Sequence, residues 1–312
     1  CGVAAGIGVF RGILSSTPTI RLSDVVAVGE ATIVYDREGN EIDQYVSTNS
    51  NRLSVGMDEI PDYMGKAFVA IEDERFYQHN GIDFKSIIRA GYQFFKTGGE
   101  EAQGASTITQ QLLKNTVFTD WTSEGNNKIK KIKRKIQEQY LALEITKYYS
   151  KDEILLRYMN AINLGQNTLG VESASLRYFG KHCSELTISE CAVIASITQN
   201  PSKYNPIRHP EENVKRRKKC LNKMLELGFI SQTQYDEAMA DTDAVYERIG
   251  LYDIDYQEAN ATTGSYFSDA VYEQVKQDLI LSGYNENMAE TLLTSGGLRV
   301  ESTLDPKIQA IL

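Results

Sequence analysis

Alternation of apolar and polar residues predicts a short β-hairpin near the start of the chain. The alternation runs through residues 31–46 around a turn that contains Gly39, as expected for a half-buried pair of strands. Beyond the hairpin, apolar positions recur every three or four residues, as in Met64, Phe68 and Ile71, which is the spacing of a helix face. The chain is therefore predicted to be mainly α, with a small N-terminal β-hairpin region.

Capping signals mark where several of the predicted helices begin and end. Asp83 is a predicted N-cap, and a basic helix spans 210–227 before Gly228 stops it. Three further helices begin at capping boxes, in which Ser or Thr is followed three residues later by Glu or Gln. The boxes are Ser150 with Glu153, Thr187 with Glu190, and Ser231 with Gln234. These signals carry the helical prediction to about residue 240.

Residues 127–147 form a predicted amphipathic helix with two contrasting faces. An apolar stripe is predicted to be its buried face. The members of this stripe are Ile129, Ile132, Ile136, Tyr140 and Leu143. Arg134 and Glu138 lie one turn apart on the opposite side, where an exposed ion pair contributes only ~0.2–0.5 kcal/mol. Taken alone, the pair indicates a solvated helix face more than a functional site.

Composition and charge restrict the class of partner. The formal net charge of −9 argues against nucleic acid, because phosphate binding requires a surplus of basic residues. One exception is the basic run 128–135, which is either a solvated helix face or a site for a particular anion. No C-x-x-C pair occurs, so a zinc site is not expected. Cys183, Cys191 and Cys220 are predicted to be small core residues.

The first ten residues, Cys1 to Phe10, are uncharged and rich in glycine and alanine. This run is too short to cross a bilayer, which takes about 20 residues, and it is interpreted as the outer end of a longer membrane helix. A buried helix is the alternative, which the glycines fit poorly. A signal-peptide remnant is disfavoured, because no cleavage site is evident.

An acidic cluster at the end of the first predicted helix provides the first candidate for catalysis. Glu72, Asp73 and Glu74 follow an apolar run. An aromatic pair comes after them, and His79 and Gly81 come after the pair. In a cleft lined by apolar residues, a carboxylate can have its pKa raised toward neutrality and so serve as a proton acceptor. The alternative is a helix end with a solvated acidic face.

A polar helix and the basic run together indicate glycosidic chemistry with an anionic leaving group. Gln110, Gln111 and Lys114 gather on one side of the helix after Ser106, where their donors can bind a sugar or a polyanion. A capped helix with a hydrated face is the alternative. A hydrolase needs two carboxylates and a water and has little use for converging cations. A transferase that releases a diphosphate does need them, because charge builds on the departing phosphates.

Four sequence blocks in register resemble the peptidoglycan glycosyltransferase family, the lysozyme-like domain (glycosyltransferase family 51) of class A penicillin-binding proteins. The blocks are residues 71–83, 104–115, 134–138 and 151–165. The resemblance covers roughly residues 30–230. It implies a lysozyme-like, mainly α enzyme that joins lipid II into β-1,4-linked glycan, releases undecaprenyl diphosphate and inverts the anomeric centre. A muralytic hydrolase or lytic transglycosylase is one alternative, and a non-catalytic glycan-binding scaffold is another.

The resemblance also implies roles for individual residues. Glu72 resembles the general base that takes the proton from the acceptor sugar's 4-hydroxyl, and Glu138 resembles the second acid, which orients basic groups or a metal ion around the diphosphate. Lys114, Arg134 and Lys135 resemble the family's phosphate-binding cations. The other expected substrate-binding residues are Asp73, Phe76, His79, Ser106, Thr107, Gln110, Gln111, Asn115, Asn160, Ser202 and Tyr204. A divalent cation, Mg²⁺ or Mn²⁺, is the candidate cofactor, although no motif shows metal-ligand spacing.

The same resemblance implies how the chain is divided and where it works. The expected segments are the end of a transmembrane helix at 1–16, a β/linker region at 17–60, the glycosyltransferase domain at 61–240, an interdomain linker at 241–296 and the start of a truncated transpeptidase domain at 297–312. The expected partners are lipid II, the growing glycan strand and the cytoplasmic membrane. The expected location is the bacterial cell membrane, single-pass, with the catalytic domain on the extracytoplasmic side. Val117, Phe118 and Trp121 are the predicted lipid contact, and packing on the core is the alternative for them.

Overall fold

The computed structural model describes residues 11–17, 32–45, 53–97, 104–118, 127–166, 168–253, 266–284, 286–295 and 298–309. Within these ranges the chain is mainly helical with one small sheet, so the predicted fold class is confirmed. The run Cys1–Phe10, predicted to end a membrane helix, lies outside the described residues. Of the helices that are described, none is long and apolar enough to cross a bilayer.

After a short helical segment at residues 11–15, the described elements are a strand pair, a series of helices, a third strand and a last short helix. The strand pair is β1 (Thr32–Tyr35) and β2 (Glu41–Tyr45). The helices of the main body are α1 (Asp62–Glu72), α2 (Phe84–Thr97), α3 (Ile108–Thr116), α4 (Lys128–Ile145), α5 (Lys151–Ala161), α6 (Val171–Phe179), α7 (Ile188–Ala195), α8 (Pro210–Glu226), α9 (Gln232–Ala240) and α10 (Thr242–Glu247). The C-terminal elements are α11 (Tyr266–Leu281), α12 (Glu286–Ser295), β3 (Arg299–Glu301) and α13 (Pro306–Gln309).

The predicted hairpin is present, and a third strand joins it. In its turn, the Asp36 carboxylate accepts hydrogen bonds from the backbone N–H groups of Glu38 and Asn40 at 2.8 and 2.9 Å. Gly39 in the same turn has a φ of +86°, which favours glycine. β3 pairs with β1 in parallel. The sequence analysis did not predict β3, because no local pattern reveals a pairing between segments at opposite ends of the chain.

The sheet has its own small hydrophobic core. Val34, Tyr45 and Leu293 are buried together, and the Tyr45 hydroxyl donates a 2.6 Å hydrogen bond to the carbonyl of Ser268. The ring of Tyr45 also meets that of Tyr272 edge to face, with 5.2 Å between centroids. These contacts hold α11 and α12 against the hairpin, so the two expected linker regions pack on one another.

The main core is built around α1. Met64, Ala67 and Phe68 on this helix are fully buried, and the ring of Phe68 meets that of Tyr158 on α5 edge to face at 5.5 Å between centroids. The helix packs against α5, α7 and α8. Glu72, the last residue of α1, is therefore carried by a helix that neighbours hold in place along its length.

All three predicted capping boxes are present. The side-chain hydroxyls of Ser150, Thr187 and Ser231 each accept a hydrogen bond from the backbone N–H three residues later, at 3.2, 3.3 and 3.2 Å respectively. A fourth box, Thr107 with Gln110, begins α3 and was not predicted. It fixes the start of a helix that lines the candidate site.

The prediction for the buried face of α4 is wrong. Ile129 and Ile132 are 80% and 59% exposed, and the rest of the predicted stripe is only partly buried or exposed. The buried residues of α4 are instead Gln137, Glu138, Leu141, Ala142 and Ile145. The physical reason is that Arg134 and Lys135 pair with Glu138 from within the helix, and a paired carboxylate can be buried. The apolar stripe is consequently left on the outside.

Three cysteines lie in the main core. Cys183, Cys191 and Cys220 are free and buried, as predicted for small core residues. Burial raises the pKa of the Cys220 thiol to about 12 and holds the pKa values of the other two thiols well above their usual range. All three therefore remain neutral, unreactive thiols at physiological pH.

Candidate active site

A cleft of about 610 Å³ opens across the end of α1. Its lining comes from the end of α1 and the residues that follow it, from α3 together with part of α4, and from one face of α8. The two candidate acids, Glu72 and Glu138, both line this cleft. The fold therefore brings together two carboxylates that are far apart in the sequence.

Glu72 is held in place by donors from three parts of the chain. Its Oε1 accepts hydrogen bonds from the Thr198 hydroxyl at 2.6 Å and from the Arg216 guanidinium at 2.5 Å. Its Oε2 accepts one from the Gln111 side-chain amide at 2.8 Å, and the Tyr158 hydroxyl donates to the carbonyl oxygen of the same amide. The Glu72 side chain is 9% exposed, so the carboxylate keeps one orientation and meets little water.

A buried polar cluster lies next to Glu72. His79 Nε2 is 2.9 and 3.0 Å from the two Asp73 oxygens, and Asp73 also accepts the backbone N–H of Ile108 at 3.1 Å. Phe76 is fully buried, and the Lys151 ammonium lies 4.4 Å from the centroid of its ring. Burial lowers the pKa of Lys151 to about 8, with Asp73 opposing the shift. Of the three predicted residues here, Asp73 lines the cleft, whereas Phe76 and His79 do not.

The loop between α1 and α2 requires glycine at position 81. Gly81 has a φ of +87°, and a Cβ there would lie 2.2 Å from the carbonyl oxygen of Ala142 on α4. Its own carbonyl accepts a 2.6 Å hydrogen bond from the Thr107 hydroxyl. Asp83 caps α2 as predicted, by accepting the Ser86 backbone N–H at 3.1 Å. The loop is thus fixed between α3 and α4, which sets the spacing of the cleft on this side.

One side of the cleft, here called the α3–α4 wall, consists of Ser106, Gln110, Lys114, Lys135 and Glu138. Glu138 is 1% exposed and accepts hydrogen bonds from Arg134 and, at 3.1 Å, from Lys135. Lys135 also donates to the Ser106 hydroxyl at 2.8 Å. The buried N–H₂ group of Gln110 has no hydrogen-bond partner among the described residues. This wall therefore combines cations with a donor that is available to a ligand.

The sequence analysis missed the opposite side of the cleft, here called the α8 wall. It consists of Arg216, Lys219 and Lys223, which are spaced so that they share one face of α8. Arg216 binds Glu72, and the Lys223 ammonium is 3.5 Å from the Glu74 carboxylate. The sequence did indicate a basic helix at 210–227, but the helix pattern alone could not show which basic residues meet the cleft.

The remaining predicted substrate-binding residues are more dispersed. Three of them line the cleft, namely Thr107, Gln111 and Asn115. The Asn160 side chain instead exchanges two 3.0 Å hydrogen bonds with the backbone N–H and carbonyl of Val55. Ser202 is exposed and does not line the cleft. Tyr204 also lies outside it, with its ring centroid 5.0 Å from the Arg216 guanidinium, so it supports a residue that contacts Glu72.

The acids of the cleft do not fit the candidate divalent cation. Within the part of the chain that the structure describes, no three or more His, Cys, Asp or Glu side chains are grouped so that they could hold a metal ion. Both Glu138 oxygens already accept hydrogen bonds from cations, Arg134 and Lys135, whereas Mg²⁺ requires oxygen ligands that are free to coordinate it. The groups positioned to neutralise a diphosphate in this cleft are therefore basic side chains.

Comparison with known proteins shows relatives that share most of this chain. A model of the transglycosylase family matches residues 38–225, more than half of the chain. Penicillin-binding protein 1A of Clostridium botulinum strain Hall is 38% identical over 99% of this chain and 37% of that protein. Penicillin-binding protein 1A of Clostridium perfringens strain 13 is 38% identical over 95% of this chain and 43% of that protein. Penicillin-binding protein 1A/1B of Bacillus subtilis is 34% identical over 99% of this chain and 31% of that protein.

A solved structure also aligns with the chain. The alignment with penicillin-binding protein 1A from Haemophilus influenzae covers 84% of this chain and 26% of that protein, with 22% identity and a TM-score of 0.37. The chain spans less than half of the length of each of these relatives. The relatives are thus longer proteins, and this chain matches one part of them.

Proposed function

This chain belongs to the transglycosylase family, and on that premise we propose that it is a peptidoglycan glycosyltransferase that polymerises lipid II into β-1,4-linked glycan with release of undecaprenyl diphosphate. The family match confirms the resemblance drawn from the four sequence blocks. The observation that carries the proposal is the position of Glu72, a carboxylate held rigidly in a cleft with cations on both sides.

Glu72 is the proposed general base that activates the acceptor. The acceptor's 4-hydroxyl loses its proton as it attacks the anomeric carbon of the donor, and a carboxylate within hydrogen-bond distance accepts that proton. Three donors already orient Glu72, so little reorganisation is needed during the reaction. A carboxylate offers about four lone-pair sites, which leaves room for the acceptor hydroxyl.

The α3–α4 wall is proposed to stabilise the leaving diphosphate. Negative charge develops on the phosphate oxygens as the glycosidic C–O bond breaks, and cations that are already in place stabilise this charge. Lys114 and Lys135 line the cleft here, and Glu138 holds Lys135 and Arg134 in position. The unpaired amide N–H₂ of Gln110 adds a neutral donor. Attack from the side opposite to the departing diphosphate inverts the anomeric centre.

A lysozyme-like hydrolase or lytic transglycosylase is the competing enzyme. A hydrolase needs one acid that faces the leaving sugar oxygen and donates a proton to it. Both Glu138 oxygens instead face cations, Arg134 and Lys135, which suits an anionic leaving group better. Glu138 is therefore poorly placed to donate a proton to the leaving sugar oxygen.

Incubation with two substrates separates the candidate functions. The full chain is incubated with lipid II in one reaction and with finished glycan in another. We expect polymer from lipid II and no fragments from the glycan. Fragments from the glycan without polymer from lipid II would establish a muralytic enzyme. Glycan binding without either reaction would establish a scaffold.

The proposed membrane contact lies on a different surface from the one that the sequence predicted. Val117 and Phe118 pack partly against the main core, and Trp121 lies outside the described residues. Ile129 and Ile132 on α4, by contrast, project into solvent within the lysine-rich run 128–135. Apolar side chains beside lysines suit the interface of a bilayer with anionic lipids.

Helix α2 also carries an exposed apolar face. Phe84, Ile88 and Tyr92 recur along one face of α2, and all three are exposed. We propose that the exposed apolar residues of α2 and α4 rest on the outer leaflet of the cytoplasmic membrane, so that the polyprenyl tails of the substrates stay in lipid. The membrane anchor at 1–16, the segment boundaries and the transpeptidase domain that would follow 297–312 stay predictions.

A further inference from the structure

A second cavity lies on the side of α8 that faces away from the active-site cleft. It has a volume of about 460 Å³ and is lined by α8, α10 and the segments that adjoin them. The residues of α8 in its lining are Pro210, Glu211 and Val214, and the cavity shares no lining residue with the cleft. Because α8 makes one turn per 3.6 residues, Arg216 and Lys219 of the cleft project from the opposite side of the helix. A ligand in this cavity would therefore leave the cleft open.

The cavity, here called the α8–α10 groove, has an apolar surface that the main core holds in shape. Its apolar lining residues are Pro206, Ile207, Pro210, Val214, Tyr246 and Ile249. Of these, Tyr246 and Ile249 also pack against the main core. Ile207 is 37% exposed, so it offers apolar surface that a partner can cover. Burial of such surface is the main driving force of most protein association.

Three carboxylates border the groove, and its described lining contains no basic side chain. They belong to Glu211, Asp243 and Glu247, all of which are exposed. Among the residues that the structure describes, no cation lies within ion-pair distance of any of the three. Lys215 and Arg248, which neighbour them in the sequence, pair with other acids. The groove therefore carries negative charge that the described part of the chain does not neutralise.

The other polar side chains of the groove already have hydrogen-bond partners. The Thr242 hydroxyl donates a 2.6 Å hydrogen bond to the carbonyl of Met239 and accepts one from Arg217. The Tyr246 hydroxyl donates to the side-chain carbonyl of Asn213. The carboxylates are consequently the polar side chains of the groove that can bind a partner.

Stabilisation of the two helices accounts for only part of this negative charge. Glu211 and Asp243 lie in the first turns of α8 and α10, where the helix dipole favours an acid. Glu247 is the last residue of α10, where the dipole disfavours an acid. Asp243 and Glu247 are also four residues apart on one helix face, where like charges repel. A local arrangement that opposes helix stability is expected where a surface has a function.

We propose that the α8–α10 groove binds a segment of a partner protein that carries basic side chains next to apolar ones. The apolar side chains pack on the groove, and the cations pair with its carboxylates. Along α10, Asp243 and Glu247 are about 6 Å apart, and basic residues two positions apart in an extended segment are about 7 Å apart. One segment therefore reaches both acids. A second copy of this chain fits less well, because its formal net charge is −9 and like charges repel.

Selection from a random peptide library tests the chemistry of the partner. Random dodecapeptides displayed on phage are selected on the immobilised full chain at physiological salt. The enriched sequences should combine Lys or Arg with Leu, Ile or aromatic residues. An enriched peptide is then synthesised with a fluorescent label, and its dissociation constant is measured by anisotropy. Glu247→Lys should raise this constant about tenfold or more, because attraction becomes repulsion between like charges, and Ile207→Ser should also raise it.

An exposed acid outside the groove provides the matched control. Glu237 on α9 is exposed and does not line the groove, so Glu237→Lys makes the same charge change at a different place. It should leave the dissociation constant of the peptide unchanged. The thermal midpoints of Glu247→Lys, Ile207→Ser and Glu237→Lys should match that of the wild type, so that a loss of binding reports on the groove and not on unfolding.

Three outcomes would overturn the proposal. Equal losses of binding in Glu247→Lys and Glu237→Lys would show that the peptide responds only to the overall negative charge of the chain. Enrichment of acidic peptides, or of peptides that neither Glu247→Lys nor Ile207→Ser weakens, would show that the groove does not bind a basic segment. Sedimentation of the wild-type chain at increasing concentration should show no association that depends on Glu247. Self-association that Glu247→Lys abolishes would assign the groove to a second copy instead.

Discussion

Removing the Arg134–Glu138 ion pair should destabilise the fold far more than removal of a surface pair. The side chains of Glu138 and Arg134 are 1% and 15% exposed. Loss of one partner from a buried pair costs about 3–5 kcal/mol. Because Lys135 still holds the second Glu138 oxygen at 3.1 Å, we expect Arg134→Ala to cost about 3 kcal/mol, near the lower limit of that range.

A double-mutant cycle measures the interaction itself. Arg134→Ala, Glu138→Gln and the double variant are unfolded in urea, and the free energy of unfolding is extrapolated to water. The coupling free energy should be about 2 kcal/mol, as found for residues in direct contact in one network. It should also persist at 1 M salt, because buried pairs are screened much less than exposed ones.

A pair at the C-terminal end of α4 supplies the control for this cycle. Glu144 and Lys147 form an exposed pair at 2.7 Å, which should couple by only ~0.2–0.5 kcal/mol and lose that coupling in salt. A similarly small, salt-sensitive coupling for Arg134–Glu138 would refute the buried arrangement. The original interpretation of a solvated helix face would then be correct.

Two further predictions concern a buried lysine and the membrane surface. Burial lowers the pKa of Lys151 from the usual 10.5 to about 8 in the folded chain. Between these two pH values the unfolded chain binds more protons than the folded chain. The free energy of unfolding therefore rises with pH in this range. Unfolding curves from pH 7 to 10.5 should therefore show the wild type gaining stability relative to Lys151→Met, and equal slopes would contradict the burial of Lys151. Replacing Ile129 and Ile132 by Ser should weaken liposome sedimentation at least tenfold, since each buried isoleucine contributes about 1.5–3 kcal/mol. The control Leu251→Ser, at an exposed leucine outside this surface, should have no effect; equal losses in both variants would refute the membrane face.

Local sequence features predicted where the helices of this fold begin, but they did not predict which residues of a helix are buried. The capping boxes at Ser150, Thr187 and Ser231 were found because both partners of each box lie within four residues. For α4, the apolar face was predicted to be buried, but the opposite face is buried. An amphipathic pattern shows that a helix has two faces, but tertiary packing decides which face is buried, and here the buried face contains Glu138.

The sequence predicted one part of the candidate site and missed another. Glu72 and the residues of the α3–α4 wall lie in contiguous blocks, so the resemblance could bring them together. Thr198 and Arg216, which hold Glu72, belong to segments that gave no local indication of a site. Their roles depend on the packing of α7 and α8 against α1, and these are tertiary contacts. Lys219 was missed for the same reason, because only the cleft distinguishes it from Lys218.

The central claim is that Glu72 is the base of a glycosyl transfer, and single-turnover extension of a lipid-linked glycan primer by lipid II tests it most directly. The terminal 4-hydroxyl of the primer is blocked, so that the primer serves only as donor. Glu72→Gln keeps the shape of the side chain but cannot accept the proton, so the rate constant should fall by ~10²–10⁴ relative to the wild type. Calorimetric binding of geranyl diphosphate and the thermal midpoint should both be retained. A Glu72→Gln variant that extends the primer at a rate close to that of the wild type would contradict the account.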